Sequence, residues 1–351
     1  MLNDSFEIAG RTIGRQYPPY IIAEMSANHN GKIENAYKIL DAAKAAGADA
    51  VKIQTYRADT ITIDSKNEEF MIHKGLWAGR TLYELYEEAH MPWEWHGPLF
   101  NYAREIGLTI FSSPFDKTAV DLLESLDCPA YKIASFEIID HALIKYAAET
   151  GKPLIISTGM ASLEEISEAV SVAKDAGCTQ LAVLHCVSGY PSLPGDYNLK
   201  TIGDLKKQFG LLVGISDHTI SNVTANAAVA LGALIVEKHF TLDRNGGGPD
   251  DSFSMEPSDL VDLCQSSRAT QLAIGSVNYA PLLAEESSLQ YRRSLYFVED
   301  ILQGQLVKEC HVRSIRPGYG LKPKHLSEVI GKRVSRDIKF GTPVSFDDFQ
   351  S

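Results

Sequence analysis

The chain has 351 residues, a formal net charge of −12 at pH 7 and 44% hydrophobic residues. This length accommodates one barrel of about 250 residues plus a small module. The negative charge disfavours nucleic-acid and anionic-membrane partners, because its field repels phosphate groups, but a small anionic substrate needs only a few local cations. No apolar run approaches the roughly 18 residues of a membrane span, and the first residues lack the pattern of a signal peptide.

The cysteines are odd in number, scattered, and contain no CxxC pair. This spacing favours free thiols in a reducing compartment over a disulfide or zinc framework. We therefore expect a cytoplasmic protein. The five cysteines are Cys128, Cys178, Cys186, Cys264 and Cys310.

The first 19 residues predict a short hairpin around Gly10 that closes the bottom of the following domain. Eight short apolar runs then alternate with amphipathic stretches of helical length. This alternation predicts an α/β fold, a parallel (β/α)8 TIM barrel, whose active site lies where the strands end. The predicted strands are 20–24, 50–54, 108–112, 130–134, 153–157, 181–185, 211–215 and 233–238.

Two loops are predicted on the face that carries the strand ends. Residues 57–80 form an unusually long connection between the second and third strands, which is typical of a substrate-covering loop. The Gly-rich stretch 246–250 follows the eighth strand. Beyond residue 282 the pattern changes, and we predict a barrel domain over 1–282, a polar linker over 283–293 and a module of short strands over 294–351.

Two histidines are the strongest candidates for chemistry. His218 follows the seventh predicted strand and His239 ends the eighth. Because these strands are neighbours in a barrel, both imidazoles can point to one spot, where they suit a divalent ion such as Mn, Fe, Co or Zn. Further ligands would come from Asp217, Glu237 or Asp250, from water, or from the substrate. The alternative is that each histidine only forms hydrogen bonds within the loops.

Two lysines lie inside apolar strands, where an amino group is costly unless it has a partner. Lys52 and Lys132 could each bind phosphate or carboxylate, form the Schiff base of a lysine aldolase, or belong to a structural ion pair. Glu24 ends the first strand and could hold sugar hydroxyls, act as a base, or pair with Lys52.

Hydroxyl side chains recur at the strand ends without a His–Asp partner or a GxSxG elbow, so we interpret them as ligand donors and not as nucleophiles. They are Ser112, Ser113, Ser135, Ser157, Thr158 and Ser188. The weaker polar candidates at the same ends are Gln54, Glu137, His185 and Tyr190.

The motifs of the barrel resemble the sialic acid synthase family, whose members condense phosphoenolpyruvate with an N-acetylated sugar to give a nine-carbon 2-keto acid. The C-terminal motifs RRSLY, SIRPGYG and DIKFGTP resemble the antifreeze-like SAF domain of those synthases. The barrel motifs are IIAEMSANHNG, VKIQTY, SSPF, YKIASFE, ISTGM, LHCVSGYP, GISDHT and VEKHF.

Within this family, SANHNG, IQTY and GLWAGRTLYELYEEA are most similar to the pseudaminic acid branch, whereas the loop sequence GPDD resembles the neuraminate branch. The resemblance implies a reaction of phosphoenolpyruvate with 2,4-diacetamido-2,4,6-trideoxy-altrose. The alternative is the N-acetylneuraminate or legionaminate reaction, which uses an N-acetylmannosamine-type sugar.

The resemblance also implies roles for individual residues. His218 and His239 bind a divalent metal, with Mn as the expected ion and Mg or Co as alternatives. Arg316 reaches the N-acetyl group in the partner subunit of a domain-swapped homodimer. Residues expected around phosphoenolpyruvate are Lys132, Ser113, Ser135, Ser157, Ser188 and Ser216, and those expected around the acceptor sugar and the reacting carbons are Glu24, Lys52, Gln54, Tyr190 and Asp250.

Two rival interpretations differ in class. A lysine aldolase on the same barrel would need no metal and would be trapped by borohydride. Alternatively, the antifreeze-like module would bind ice or carbohydrate above an inert barrel. The recurrence of polar residues at the strand ends disfavours the inert barrel.

Overall fold

The computed structural model describes residues 4–350, and the chain divides into two compact units, Met1–Gly275 and Ser276–Ser351. Its strands are β1 Ser5–Ile8, β2 Arg11–Gly14, β3 Tyr20–Glu24, β4 Ala50–Thr55, β5 Thr109–Pro114, β6 Tyr131–Ile133, β7 Leu154–Ser157, β8 Leu181–Cys186, β9 Leu212–Ser216, β10 Ile235–His239, β11 Ser294–Phe297 and β12 Val312–Ile315. Strands β3 to β10 pair in parallel and close into a barrel in which β10 lies beside β3. The predicted TIM barrel is confirmed.

Helices alternate with the barrel strands in the first unit, and the last two, each of four residues, lie in the second unit. They are α1 Ile33–Ala46, α2 Ala58–Ile61, α3 Leu82–Ala89, α4 Trp93–Glu105, α5 Lys117–Ser125, α6 His141–Glu149, α7 Leu163–Asp175, α8 Lys200–Phe209, α9 Val223–Ala230, α10 Pro257–Ile274, α11 Glu286–Leu289 and α12 Leu326–Val329. No helix within residues 4–350 is long and apolar enough to cross a membrane.

Local sequence explains where several helices begin and end. Helix α7 begins at a capping box, in which Ser162 and Glu165 bond each other's backbone N–H groups. Helix α1 ends at Gly47, whose φ of 87° lies in the left-handed region that favours glycine. A capping box and a glycine past the last turn are typical sequence signals of a helix start and a helix end.

The barrel strands carry continuous apolar runs because both of their faces are buried. In β3, for example, Tyr20, Ile21, Ile22 and Ala23 are all fully buried. Side chains inside the barrel and helices outside it exclude water, so the polar residues of function are left to the strand ends.

The N-terminal hairpin packs under the barrel. Strands β1 and β2 pair antiparallel, and Ile8 and Ile13 are fully buried in the barrel core. The hairpin also bonds Gln180 and Asp49, which precede β8 and β4. This position leaves the opposite end of the barrel, where the strands finish, open for a site.

The second unit has a hydrophobic core of its own. Strands β11 and β12 pair antiparallel, and their buried side chains include Leu295, Phe297 and Val312. The other β-pairings described in this unit are isolated bridges between single residues, such as Ile301 with Ile338.

Candidate active site

The barrel register brings the predicted polar residues together at the ends of the strands. Glu24 is paired with His239 on one side and with Lys52 on the other. Ser113 is paired with Gln54 in the next strand. The sequence-predicted residues of β3, β4, β5 and β10 therefore belong to one neighbourhood.

A cluster of two lysines and two glutamates forms the floor of this site. Lys52 Nζ lies 3.0 Å from Glu24 Oε2 and 3.4 Å from Glu237 Oε1, and it donates to Ser113 Oγ at 3.1 Å. Lys132 Nζ lies 3.5 Å from Glu237 Oε1. We call Lys52, Lys132, Glu24 and Glu237 the charge cluster. All four side chains are buried, so removing one would leave an unpaired charge away from water.

The surroundings shift the pKa values of the two carboxyl groups of the charge cluster in opposite directions. Burial raises the pKa of Glu24, and Lys52 does not fully offset this effect. Burial also acts to raise the pKa of Glu237, but Lys132 and Lys52 outweigh it and hold that pKa low. Glu24 is therefore the group that can hold a proton, and Glu237 stays a carboxylate.

The two lysines differ as well. Burial lowers the pKa of Lys132, and Glu237 only partly opposes this. Burial acts in the same direction on Lys52, but Glu237 and Glu24 outweigh it and raise the pKa of that amine. A Schiff-base lysine must be neutral to attack a carbonyl, so Lys52 is unsuited to aldolase chemistry.

A chain of hydrogen bonds leads from Glu24 to the Gly-rich loop. Gln54 Nε2 donates to Glu24 Oε1 at 2.8 Å and to Ser26 Oγ at 2.9 Å. Ser26 Oγ in turn donates to Asp250 Oδ2 at 2.5 Å. Burial raises the pKa of Asp250, and the Ser26 hydroxyl opposes this. Gln54 and Asp250 thus lie in one network with Glu24.

The two histidines face each other, with ring centroids 5.4 Å apart. Burial acts to lower the pKa of His218, but a side-chain hydrogen bond with Cys186 and the 2.7 Å bond that Nδ1 donates to the Val187 carbonyl oxygen outweigh it and raise that pKa. Burial lowers the pKa of His239 far below its usual range, and its buried Nδ1 has no hydrogen-bond partner among residues 4–350. A divalent metal requires neutral imidazoles with a free lone pair, which His239 offers, whereas His218 must give up a proton to bind one.

Other metal ligands are sparse around this pair. Within residues 4–350, no third Asp, Glu, His or Cys joins the two histidines in a compact group. Of the carboxylates that the sequence offers, Asp217 instead pairs with Lys238, at 3.0 Å. A metal at His218 and His239 would therefore complete its coordination with water and substrate.

A different compact group of possible ligands lies in the second unit, at Glu299, Cys310 and His311. Its histidine is not prepared for a metal. The Lys308 backbone N–H donates to His311 Nδ1 at 3.1 Å, so the ring proton is on Nε2, which faces Glu299 Oε2 at 3.8 Å. We therefore interpret this group as a pair between His311 and Glu299 and not as a metal site.

Two serine side chains converge on Gly159, where the strand ends of β6, β7 and β8 meet, and a third lies nearby in the sequence. The Gly159 backbone N–H donates to Ser135 Oγ at 3.0 Å. A Cβ at Gly159 would lie only 2.2 Å from Ser188 Oγ and 2.7 Å from Ser135 Oγ, so both hydroxyls approach the bare backbone. Ser157, two residues earlier, is buried with an unpartnered hydroxyl among the described residues. These donors, which we call the serine cluster, suit an oxyanion.

Aromatic rings cover the histidines. The ring centroid of Tyr190 lies 4.3 Å from that of His218, 5.9 Å from that of His239 and 5.3 Å from that of Phe253. Burial raises the pKa of Tyr190 well above its usual range, so its hydroxyl stays neutral. The site therefore has a charged floor and an aromatic wall.

Three further residues have a larger part in the site than the sequence alone indicates. Glu237 is the centre of the charge cluster, and Ser216 Oγ lies 3.4 Å from it. Ser26 links Gln54 to Asp250. Burial raises the pKa of Glu137 to about 7, and its Oε2 has no hydrogen-bond partner in the described part of the chain. Alternation along β10 carries the signal for Glu237, because it lies two residues before His239 and shares its face.

Two further polar residues of the barrel have their partners elsewhere, and one candidate belongs to the second unit. Lys238 points away from Glu237 and bonds Asp217 and Thr219. His185 bonds the backbone oxygen of Tyr197. Arg316 follows β12 in the second unit and is exposed.

Comparison with known proteins agrees with the sequence motifs. The NeuB family model matches residues 39–279, and the SAF domain model matches residues 292–350. The pseudaminic acid synthase of Campylobacter jejuni is 44% identical over 94% of this chain and 96% of its own length, and that of Helicobacter pylori is 42% identical over 95% and 98%. The crystal structure of the Bacillus subtilis spore coat polysaccharide biosynthesis protein SpsE superposes with a TM-score of 0.68, at 34% identity and 99% coverage of both chains.

The serine cluster gives a direct test of anion binding. We predict that Gly159→Ala weakens binding of phosphoenolpyruvate about tenfold or more, because the added methyl displaces Ser135 and Ser188. Isothermal titration calorimetry measures this. Gly203→Ala is the matched control, since a Cβ there meets nothing within 4 Å. Equal affinities of Gly159→Ala and the control would contradict the assignment.

Proposed function

The chain belongs to the NeuB family, and we propose that it is a pseudaminic acid synthase. It condenses phosphoenolpyruvate with 2,4-diacetamido-2,4,6-trideoxy-β-L-altropyranose and water to give pseudaminic acid and phosphate. The new bond joins C3 of phosphoenolpyruvate to the aldehyde carbon of the open-chain sugar. Water adds at C2 and the C2–O bond breaks, so phosphate leaves with the bridging oxygen. The observation that carries this proposal is the buried charge cluster beside the facing pair His218 and His239.

Phosphoenolpyruvate fits the cationic and hydroxyl-rich part of the site. Lys132 and the serine cluster of Ser135, Ser157 and Ser188 offer an amine and hydroxyl donors to its phosphate, and Ser113 and Ser216 extend this set. Lys52 and Lys132 bring two positive charges, and the high pKa of Glu24 leaves that carboxyl able to be neutral when a dianion enters.

Glu24 is proposed to move protons between water and the reacting atoms. Its raised pKa allows it to hold a proton, and Gln54 fixes its orientation through the 2.8 Å hydrogen bond. Lys52 pairs with Glu24 and controls its charge. Asp250, tied to the same network through Ser26, is placed to bind acceptor hydroxyl or amide groups together with Tyr190.

His218 and His239 are proposed to hold a divalent metal, with Mn as the expected ion. A metal at this position supplies Lewis-acid polarisation of the aldehyde oxygen. Burial keeps His239 neutral, and the Val187 carbonyl orients His218, which would release its proton on binding the metal.

The second unit is proposed to complete the site of a second copy. Arg316 would contact the acceptor's N-acetyl group in the partner barrel of a domain-swapped homodimer. The segment that leads into the unit exposes large apolar side chains, with Val277 at 88%, Tyr279 at 97% and Leu283 at 84% exposure, which a second copy would cover. We place the enzyme in the cytoplasm, where phosphoenolpyruvate is made and the free cysteines stay reduced.

The proposed function is tested by phosphate release from phosphoenolpyruvate with Mn, with the diacetamido-trideoxy-altrose and N-acetylmannosamine offered in parallel. We expect release with the first sugar and little with the second. Release with N-acetylmannosamine alone would identify a neuraminate-type enzyme and contradict the proposal. Trapping of the chain by borohydride with substrate would identify an aldolase.

The metal role is tested by His218→Ala. We predict that Mn affinity, measured by calorimetry on chelator-treated protein, falls by at least tenfold, because one of two protein ligands is lost. Turnover should be abolished. His141→Ala is the control, since this exposed histidine lies on helix α6 and pairs only with Glu168 among the described residues. Unchanged Mn affinity in His218→Ala would remove the metal from the site.

The shared site is tested by Arg316→Ala. We predict a loss of roughly tenfold or more in kcat/KM for the sugar with an unchanged KM for phosphoenolpyruvate, because a charge-assisted contact is lost. Arg313→Ala changes an exposed arginine of β12, three residues before Arg316, and should match the wild type.

A subunit-mixing experiment completes this test. Mixed dimers of Arg316→Ala and His218→Ala should be more active than either parent, because one barrel then keeps both groups. Failure of mixing to restore activity would contradict the domain swap.

A further inference from the structure

The loop over residues 57–80 is held in a defined conformation at its far end. Backbone hydrogen bonds join Ile72 N–H to the Arg80 oxygen at 2.9 Å and Gly79 N–H to the Ile72 oxygen at 2.8 Å. Gly75 and Gly79 have φ values of 86° and 90°, which permit the tight turn between them. This turn presents Trp77.

Trp77 is fastened to the barrel unit at two points. Its indole Nε1–H donates to the Pro249 carbonyl oxygen at 3.0 Å, and its ring centroid lies 6.1 Å from that of Tyr190. The Gly-rich loop that carries Pro249 is itself fixed, because Gly248 N–H donates to Asp251 at 2.8 Å and Asp250 accepts from Ser26. Trp77 therefore occupies a fixed place at the mouth of the site.

The position of Trp77 can be related to the reacting atoms of the acceptor sugar. Tyr190 separates Trp77 from the histidines, and Pro249 separates it from Asp250. If the aldehyde carbon C1 of the acceptor reacts beside the histidines, the C6 end of the sugar is the part farthest from them. Trp77 and Tyr190 thus form one aromatic surface, and the C6 end of the sugar meets the part of it that Trp77 provides.

We propose that Trp77 is a specificity-determining residue that packs against the C6 methyl end of a 6-deoxy sugar. This inference rests on the proposed function. An indole face favours contact with a methyl group, whereas a hydroxymethyl group placed against it loses hydrogen bonds to water. The fixed anchors keep the ring from moving aside for the larger group.

The test compares two acceptors that differ only at C6. They are 2,4-diacetamido-2,4,6-trideoxy-altrose and its 6-hydroxy analogue. We expect the ratio of their kcat/KM values to favour the 6-deoxy sugar in the wild type and to fall about tenfold or more in Trp77→Ala. The KM for phosphoenolpyruvate should not change. Trp77→Phe keeps an apolar ring without the indole N–H and should retain most of the preference.

Controls separate recognition from loop positioning. Trp93→Phe removes another indole hydrogen bond, 3.3 Å to the Tyr56 oxygen, and should leave the ratio unchanged. Trp77→Gln supplies a polar side chain and should shift the preference toward the 6-hydroxy analogue. Equal losses for both sugars in Trp77→Ala and Trp77→Gln would overturn the inference alone. Absence of phosphate release with either sugar in the wild type would overturn the proposed function together with it.

Discussion

The ion pairs that Lys52 and Lys132 form with Glu237 are the constraint on which the site depends. Two amines and two carboxyl groups are buried at the strand ends, and such charges persist only when each is paired. Glu237 lies between the lysines, and Glu24 completes the group. Because these side chains stand on strands of a closed barrel, the backbone holds their charges near one another without substrate.

The same arrangement separates the tasks of similar side chains. Glu237 remains ionised because it faces two amines, whereas Glu24 is buried with one and can hold a proton. The floor carries paired charges, the two histidines face each other, and an aromatic wall covers them. One barrel end thus offers three chemically different surfaces.

Sequence patterns predicted the barrel well, because strand order and burial follow directly from alternating apolar runs and helical stretches. Predicted strands differ from the observed ones by one or two residues, as at β6, which is shorter than the run 130–134. The free cysteines and the N-terminal hairpin also agree. The NeuB and SAF matches confirm the family resemblance drawn from the motifs.

Contacts between residues that are distant in the sequence could not be predicted from sequence patterns. The sequence offers Glu237 only as a possible metal ligand, and the folded chain shows that it pairs with Lys52 and Lys132 instead. Ser26 has a φ of 45°, in the left-handed region, and no local pattern predicts that its hydroxyl would join Gln54 to Asp250. The anchoring of Trp77 on Pro249 joins segments far apart in the sequence, so only the folded chain reveals it.

The central claim is that this site condenses phosphoenolpyruvate by breaking its C–O bond. The most direct measurement uses phosphoenolpyruvate labelled with ¹⁸O at the bridging oxygen, together with the diacetamido-trideoxy-altrose. We expect the label to be recovered in phosphate, which mass spectrometry detects. Recovery of the label in the 2-keto acid product would mean P–O cleavage and would contradict it.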